Sequence, residues 1–298
     1  MKVLVTGSSG FVGKYVTAEL KNRKHYVKEF DMEHGKNIFN EQLLAEEMQG
    51  TDCVIHLAAV LNEGNPDLWN INVEGTTRVI EAAVKGRVKK FIYLSSTGVY
   101  GFTECNVSEE TEINPQTPYE KSKAEAEKIV LSHQEEISVC VLRSAMVFGP
   151  NAYWKGMFKL LGREMPLPCK GKNSFQVIYI KELAKALMAV MEKGEDGETY
   201  LVAGKEAPTL NEFCKMVQKE MGLKQGVKHT PTWFALLMGK LFRIKVITRE
   251  NIRHLSKERK YDTHKIEELG YKPTISLGQA IFETISGIKE LEEGQEHK

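Results

Sequence analysis

The chain has 298 residues, enough for one large domain or two intimate ones around a sizeable core. Its 41 Lys and Arg nearly cancel 40 Asp and Glu, and a net charge of +1 supplies no overall field to gather nucleic acid or an anionic membrane, so a small-molecule partner is expected. Five widely spaced cysteines (Cys53, Cys105, Cys140, Cys169, Cys214) form no CxxC pair and read as free thiols in a reducing cytoplasm, not as a disulfide framework or a metal site.

The chain opens on the apolar run KVLVT, with no basic stretch or leader-length apolar segment before it, so no secretory signal is expected. Apolar runs of strand length then alternate with helical patterns: Phe11 to Lys24, YVKEFD, Glu41 to Met48, DCVIHLAA, Pro66 to Lys85, KKFIYLSS, Pro118 to Gln134 and VCVLRSA. Strands that are apolar through most of their length and separated by helices predict a parallel sheet covered on both faces, a doubly wound α/β domain of the Rossmann type. Asn65 before Pro66, and Thr117-Pro118-Tyr119-Glu120, carry helix-start signals, the second being a capping box with a first-turn proline. The dinucleotide domain is therefore placed at 1–150, with FQVIYI and TYLVAG returning to it at about 176–204. Segments 151–175 and 205–298 make a smaller, mostly helical substrate lobe. The most apolar stretch, Trp233 to Phe242, contains a lysine and is far shorter than the roughly 20 residues that span a bilayer. It reads as a core or lid helix, with peripheral membrane contact left open, and the charged end KELEEGQEHK is expected to fray.

The first strand runs into a helix through TGSSGFVG, which places Gly7, Gly10 and Gly13 at the seam with Phe11 and Val12 between them. In that context the first glycine permits a tight turn, the second lets backbone N–H groups reach a pyrophosphate, and the third lets helix and strand pack closely. The helix start adds positive dipole. Asp31, closing the second strand, is where a carboxylate would accept the ribose hydroxyls of NAD and repel the 2′-phosphate of NADP. NAD is thus the expected cofactor, with NADP kept open by the nearby Lys14 and Lys36.

In TPYEKSK, Tyr119 and Lys123 stand four apart on a helix and leave its same face. An ammonium beside a phenol favours the phenolate and would draw it down from its usual pKa of about 10, toward service as a general base. The preceding strand delivers Ser95, Ser96 and Thr97 to the carboxyl end of the sheet, where ligands bind in open α/β folds.

These residues together resemble the extended short-chain dehydrogenase/reductase family, which holds NAD-dependent sugar epimerases and dehydratases, dihydroflavonol reductases and 3β-hydroxysteroid dehydrogenases. The likeness runs in order through TGSSGFVG, DCVIHLAA, NVEGT, YLSSTGVYG, YEKSK, LRSAMVFGP, VIYIKELAKAL and ELGYKPTISL. It implies a catalytic triad of Ser96, Tyr119 and Lys123. It implies cofactor contacts from Leu57, Ala58, Ala59 and Asn72, from Asn37 and Ile38 near adenine, and from Tyr119 and Lys123 themselves. It also implies a homodimer joined through the helices at Pro66 to Lys85 and Pro118 to Gln134.

One scaffold hosts several reactions. The family's dehydratases carry Asp-Glu after the catalytic hydroxyl, where this chain has Thr97-Gly98, so dehydration is not expected. Its nucleotide-sugar enzymes usually hold the diphosphate with an arginine just before VIYI, and this chain has Phe175 near the place where that arginine is expected. With Trp154, Met157, Phe158 and Met165 nearby, the expected reaction is hydride transfer at a secondary alcohol or ketone of a small apolar substrate. A nucleotide-sugar 4-epimerase is the alternative, and a non-catalytic NAD-binding regulator is the remaining one. On this reading Phe175→Arg would add affinity for nucleotide sugars.

Overall fold

The computed structural model describes residues 1–103, 106–244 and 247–296; Cys105, His297 and Lys298 lie outside them. The strands are β1 (Lys2–Thr6), β2 (Tyr26–Phe30), β3 (Cys53–His56), β4 (Lys90–Ser96), β5 (Ser138–Ser144), β6 (Met146–Phe148), β7 (Val177–Tyr179) and β8 (Glu198–Val202). The helices are α1 (Phe11–Asn22), α2 (Glu41–Met48), α3 (Gly75–Lys85), α4 (Pro118–Ser132), α5 (Ala152–Gly162), α6 (Ile180–Lys193), α7 (Leu210–Glu220), α8 (Thr232–Leu241), α9 (Arg249–Ser256), α10 (His264–Glu268) and α11 (Leu277–Glu296).

Six strands form one parallel sheet in the order β2-β1-β3-β4-β5-β8. All four residues of β3 are buried, which is what a strand covered on both faces requires, whereas the edge strand β2 is buried only at Phe30. The order reverses between β1 and β3, so a crevice opens beyond Thr6 and His56 at the carboxyl edge. His56 fixes that edge from within: its Nδ1 pairs with Thr6 Oγ1 at 2.6 Å and its Nε2 with Thr76 Oγ1 at 3.0 Å. Burial lowers the imidazole to about 3, so it is a neutral strut between β1, β3 and α3.

Several elements differ from expectation. The helix anticipated from Pro66 begins later, because the Asn65 carboxamide accepts from Asp67 N in a local turn, and the chain then passes through a π-helical turn at Asn70–Glu74 into α3. FQVIYI contributes only Val177–Tyr179, which pairs with β6 in a separate two-stranded sheet, since Ile180 already begins α6. The charged C-terminal end expected to fray is helical as far as Glu296. Beyond the main sheet, Phe148, Trp154, Phe175 and Phe213 pack edge to face in a second core that also holds Phe158, with Phe175 fully buried.

Candidate active site

The glycine turn is a backbone-only structure. Gly7 has φ +69° and a Cβ there would lie 2.7 Å from Ala58 N; at Gly13 it would lie 2.1 Å from Gly7 O. Gly10 N donates to Gly7 O at 3.1 Å, closing the turn that opens α1. Gly7, Gly10, Phe11, Val12, Gly13, Leu57 and Ala59 line one cavity of about 460 Å³ with Ser96, Tyr119 and Lys123. The loop after β3 is held there by Thr6 Oγ1, which accepts from Leu57 N at 3.2 Å.

Other candidates stand around the cavity and not in its lining. Asp31, at the end of β2, accepts from Ser9 N at 3.1 Å and Glu33 N at 3.0 Å, so its carboxylate is pinned beside the glycine turn. Lys36 is taken up by Glu47 at 2.6 Å. Asn37 closes a turn onto Phe39 N at 2.9 Å, and Ile38 packs against Gly75 as part of the core behind α3. Asn72 is buried; its carboxamide accepts from Val60 N at 2.7 Å and donates to Val60 O and Ser122 Oγ. It braces the loop that carries Leu57, Ala58 and Ala59 from behind.

Ser96 closes β4, and its Oγ accepts from Gly98 N at 3.0 Å. The capping box places Tyr119 in the first turn of α4: Thr117 Oγ1 accepts from Glu120 N at 3.2 Å, while Glu120 Oε2 accepts from Thr117 N at 3.1 Å. Burial pushes the Tyr119 phenol up to about 12, against the opposing hydrogen bond with Ser96. Lys123 donates to Leu94 O at 2.6 Å, and its Nζ lies 4.1 Å from the centre of the Tyr93 ring. Burial lowers this ammonium to about 7. In the chain by itself burial thus outweighs any pull of lysine on tyrosine, and the lysine is stabilised by a strand-end carbonyl and an aromatic face. Among the described residues no three or more His, Cys, Asp or Glu side chains come together to hold a metal ion.

The far wall holds residues that sequence reasoning missed. Lys257, Arg259 and Tyr261 line the cavity, and Tyr261 Oη accepts from Thr97 Oγ1 at 3.0 Å. Lys257, almost fully buried, forms an ion pair with the fully buried Glu120. Burial raises the Glu120 carboxyl, but Lys257 and the Gln116 and Thr117 N–H groups outweigh it and hold it below the usual carboxylate range. Glu120 lies 137 positions from its partner, so only its role at the helix start was visible locally. Of the five apolar residues expected to shape the substrate wall, only Trp154 lines the cavity. Phe158 and Phe175 belong to the second core, and Met157 and Met165 border a separate small cavity. Phe175 faces inward because its backbone pairs with Arg259 at one edge while its ring packs 5.1 Å from Phe213.

The profile of the NAD dependent epimerase/dehydratase family matches residues 3–203, which takes in the glycine turn, the whole main sheet and the Tyr119–Lys123 helix. The chain belongs to the NAD dependent epimerase/dehydratase family. It is therefore an enzyme of the extended short-chain dehydrogenase/reductase type. Across its length it is similar to two relatives of different activity. UDP-glucose 4-epimerase of Vibrio cholerae is 25% identical over 95% of this chain and 94% of that protein. Sterol-4-alpha-carboxylate 3-dehydrogenase, decarboxylating, of Dictyostelium discoideum is 26% identical over 94% and 99%. The structure of UDP-glucuronic acid 4-epimerase from Bacillus cereus in complex with NAD superimposes with a TM-score of 0.80 at 25% identity, covering 98% of this chain and 99% of that one.

Proposed function

We propose that this family member transfers hydride between NAD and the carbinol carbon of a small, largely apolar secondary alcohol or ketone. The observation that carries the reading is that Ser96, Tyr119 and Lys123 share one cavity with the glycine turn. The Gly7–Gly13 turn and the α1 N-terminus would hold the pyrophosphate, Asp31 the adenine ribose and Lys123 the nicotinamide ribose. NAD, when bound, supplies the hydride acceptor or donor. Ser96 holds the substrate oxygen, and Tyr119 Oη moves the proton to or from it. With its phenol at about 12, Tyr119 holds its proton at neutral pH, which suits donation to a ketone oxygen. Leu61, Tyr100, Val107, Tyr153 and Trp154 supply apolar cavity wall.

Dehydration is disfavoured at the position directly after Ser96. Thr97-Gly98 offers no carboxyl, and the Glu120 side chain that packs beside Gly98 is kept ionised by its clamp. A second reading, NAD-dependent 4-epimerisation of a nucleotide sugar, is favoured by Lys257 and Arg259 in the cavity wall and by the sugar-nucleotide relatives. A panel of hydroxysteroids, flavanonols and aryl ketones should include one compound that changes the nicotinamide absorbance, while UDP- and dTDP-sugars should show no epimer by NMR. Micromolar binding of a UDP-sugar with epimer formation would reverse the order. The proposal keeps the homodimer through α3 and α4, which sedimentation tests, and a cytoplasmic location, supported by the buried free thiols of Cys53, Cys140 and Cys214.

A further inference from the structure

Helix α8 is built inside out. Its buried positions are Ala235 and Gly239, four apart, and Ile247 seats so closely on the second that a Cβ there would lie 2.8 Å from Ile247 Cγ2. The large apolar side chains face solvent: Trp233 is 68% exposed, Leu237 56%, Leu241 68% and Phe242, just past the helix, 63%, with Phe234 beside them. A helix on a globular protein normally turns its large apolar residues inward and its small or polar ones outward. A cluster of this kind on one ten-residue stretch marks an interaction surface.

Its charge is as uneven as its hydropathy. Between Thr232 and Arg253 the sequence places Lys240, Arg243, Lys245, Arg249 and Arg253 against one carboxylate, Glu250, in a chain that is otherwise near neutral. Lys240, Arg243 and Arg249 border a groove with Leu237. Arg253, one turn after Arg249 on α9, lies 4.7 Å from the centre of the Phe102 ring. Phe102 is itself half exposed, and both its neighbours, Gly101 and Thr103, line the catalytic cavity. An apolar and basic margin therefore runs from α8 through α9 to the cavity mouth.

We infer that this margin docks on a bilayer containing anionic phospholipid, with α8 lying in the interfacial plane. Tryptophan and phenylalanine beside lysine and arginine is the pairing that such an interface holds, the rings among the acyl boundary and the cations at the headgroups. No helix of the described residues is long and apolar enough to cross a membrane, and α8, at ten residues or roughly 15 Å, rests on the surface. A second copy of the chain fits this face less well, since a symmetric contact would set its arginines and lysines against themselves. Docked this way, the cavity mouth faces the lipid surface, and the substrate class it favours is an amphiphile drawn from the bilayer.

The test needs no substrate and so fails independently of the proposed reaction. The full chain is floated with phosphatidylcholine vesicles with and without phosphatidylglycerol. Binding to the anionic vesicles is expected, weakening with salt and falling by roughly tenfold or more in Leu237→Glu/Leu241→Glu, whose melting temperature should match the parent because both residues are exposed. Arg249→Gln/Arg253→Gln leaves the apolar face intact and should remove only the preference for anionic over neutral vesicles, which keeps the test decisive if the glutamates disturb folding. Flotation with neither vesicle, flotation that both variants leave unchanged, or a dimer that Leu237→Glu/Leu241→Glu splits without any vesicle binding would overturn the inference.

Discussion

Lys257→Met is expected to destabilise the protein well beyond what an ordinary lysine replacement does. The ion pair with Glu120 is buried on both sides, and Glu120 also accepts from Gln116 N at 2.9 Å and Thr117 N at 3.1 Å, so removing the ammonium strands a carboxylate inside the first turn of α4. Breaking a buried pair by deleting one partner costs about 3–5 kcal/mol. For 298 residues, an unfolding entropy of about 2.1 cal/mol/K per residue comes to roughly 0.6 kcal/mol/K, so the melting temperature should fall by about 5–8 °C. Glu120→Gln should lower it too, whereas Glu120→Gln/Lys257→Met should lose clearly less than the two singles together, because neither charge is then left alone. Because Glu120 follows Tyr119, turnover should drop with Lys257→Met and recover in part in the double variant. Scanning calorimetry on the four proteins measures the coupling, and a Lys257→Met protein that melts with the parent, or strict additivity in the cycle, refutes the reasoning.

Tyr119→Phe should reduce kcat by about 10²–10⁴ while calorimetric titration finds cofactor affinity almost unchanged, since only the proton-carrying oxygen is removed. Asp31→Ala should narrow the preference for NAD over NADP; a parent that binds NADP as tightly as NAD would refute the role given to this carboxylate. Lys123→Met should stabilise the cofactor-free protein. Burial lowers the folded ammonium to about 7, against 10.5 for a lysine in water, so the charged form opposes folding. The gain should be largest at and below pH 7 and shrink as pH rises toward 10.5, where the unfolded lysine also loses its proton. Melts across that range check it, and a gain that grows with pH contradicts it.

The sheet, the glycine turn and the helix that carries Tyr119 and Lys123 were legible because each rests on short-range grammar: apolar runs of strand length, glycines at a strand-to-helix seam, a capping box at Thr117 and Glu120. The far wall was not. Lys257, Arg259 and Tyr261 reach the cavity through loop geometry that no local pattern encodes, and the pairing of Lys257 with Glu120 joins segments that are neighbours only after the lobe has packed. The same limit explains the apolar residues between Asn151 and Gln176. Their composition was plain, but which of them faced a ligand and which faced one another depended on how α5 and α7 met, and the aromatic cluster took most of them. Burial was equally invisible at Tyr119 and Lys123, whose spacing suggested mutual tuning while their surroundings push the phenol up and the ammonium down.

The inward-facing ring of Phe175 also constrains how this chain can change. A guanidinium placed at that position would displace an aromatic ring packed against Trp154 and Phe213, enter a fully buried core, and stand next to the backbone of Arg259. Burying an unpaired charge costs far more than a protein's margin of stability can absorb. Phe175→Arg would therefore unfold the lobe before it could bind a phosphate. Phenylalanine at 175 acts as a lock on the lobe: a basic group there requires Trp154 and Phe213 to be repacked with it.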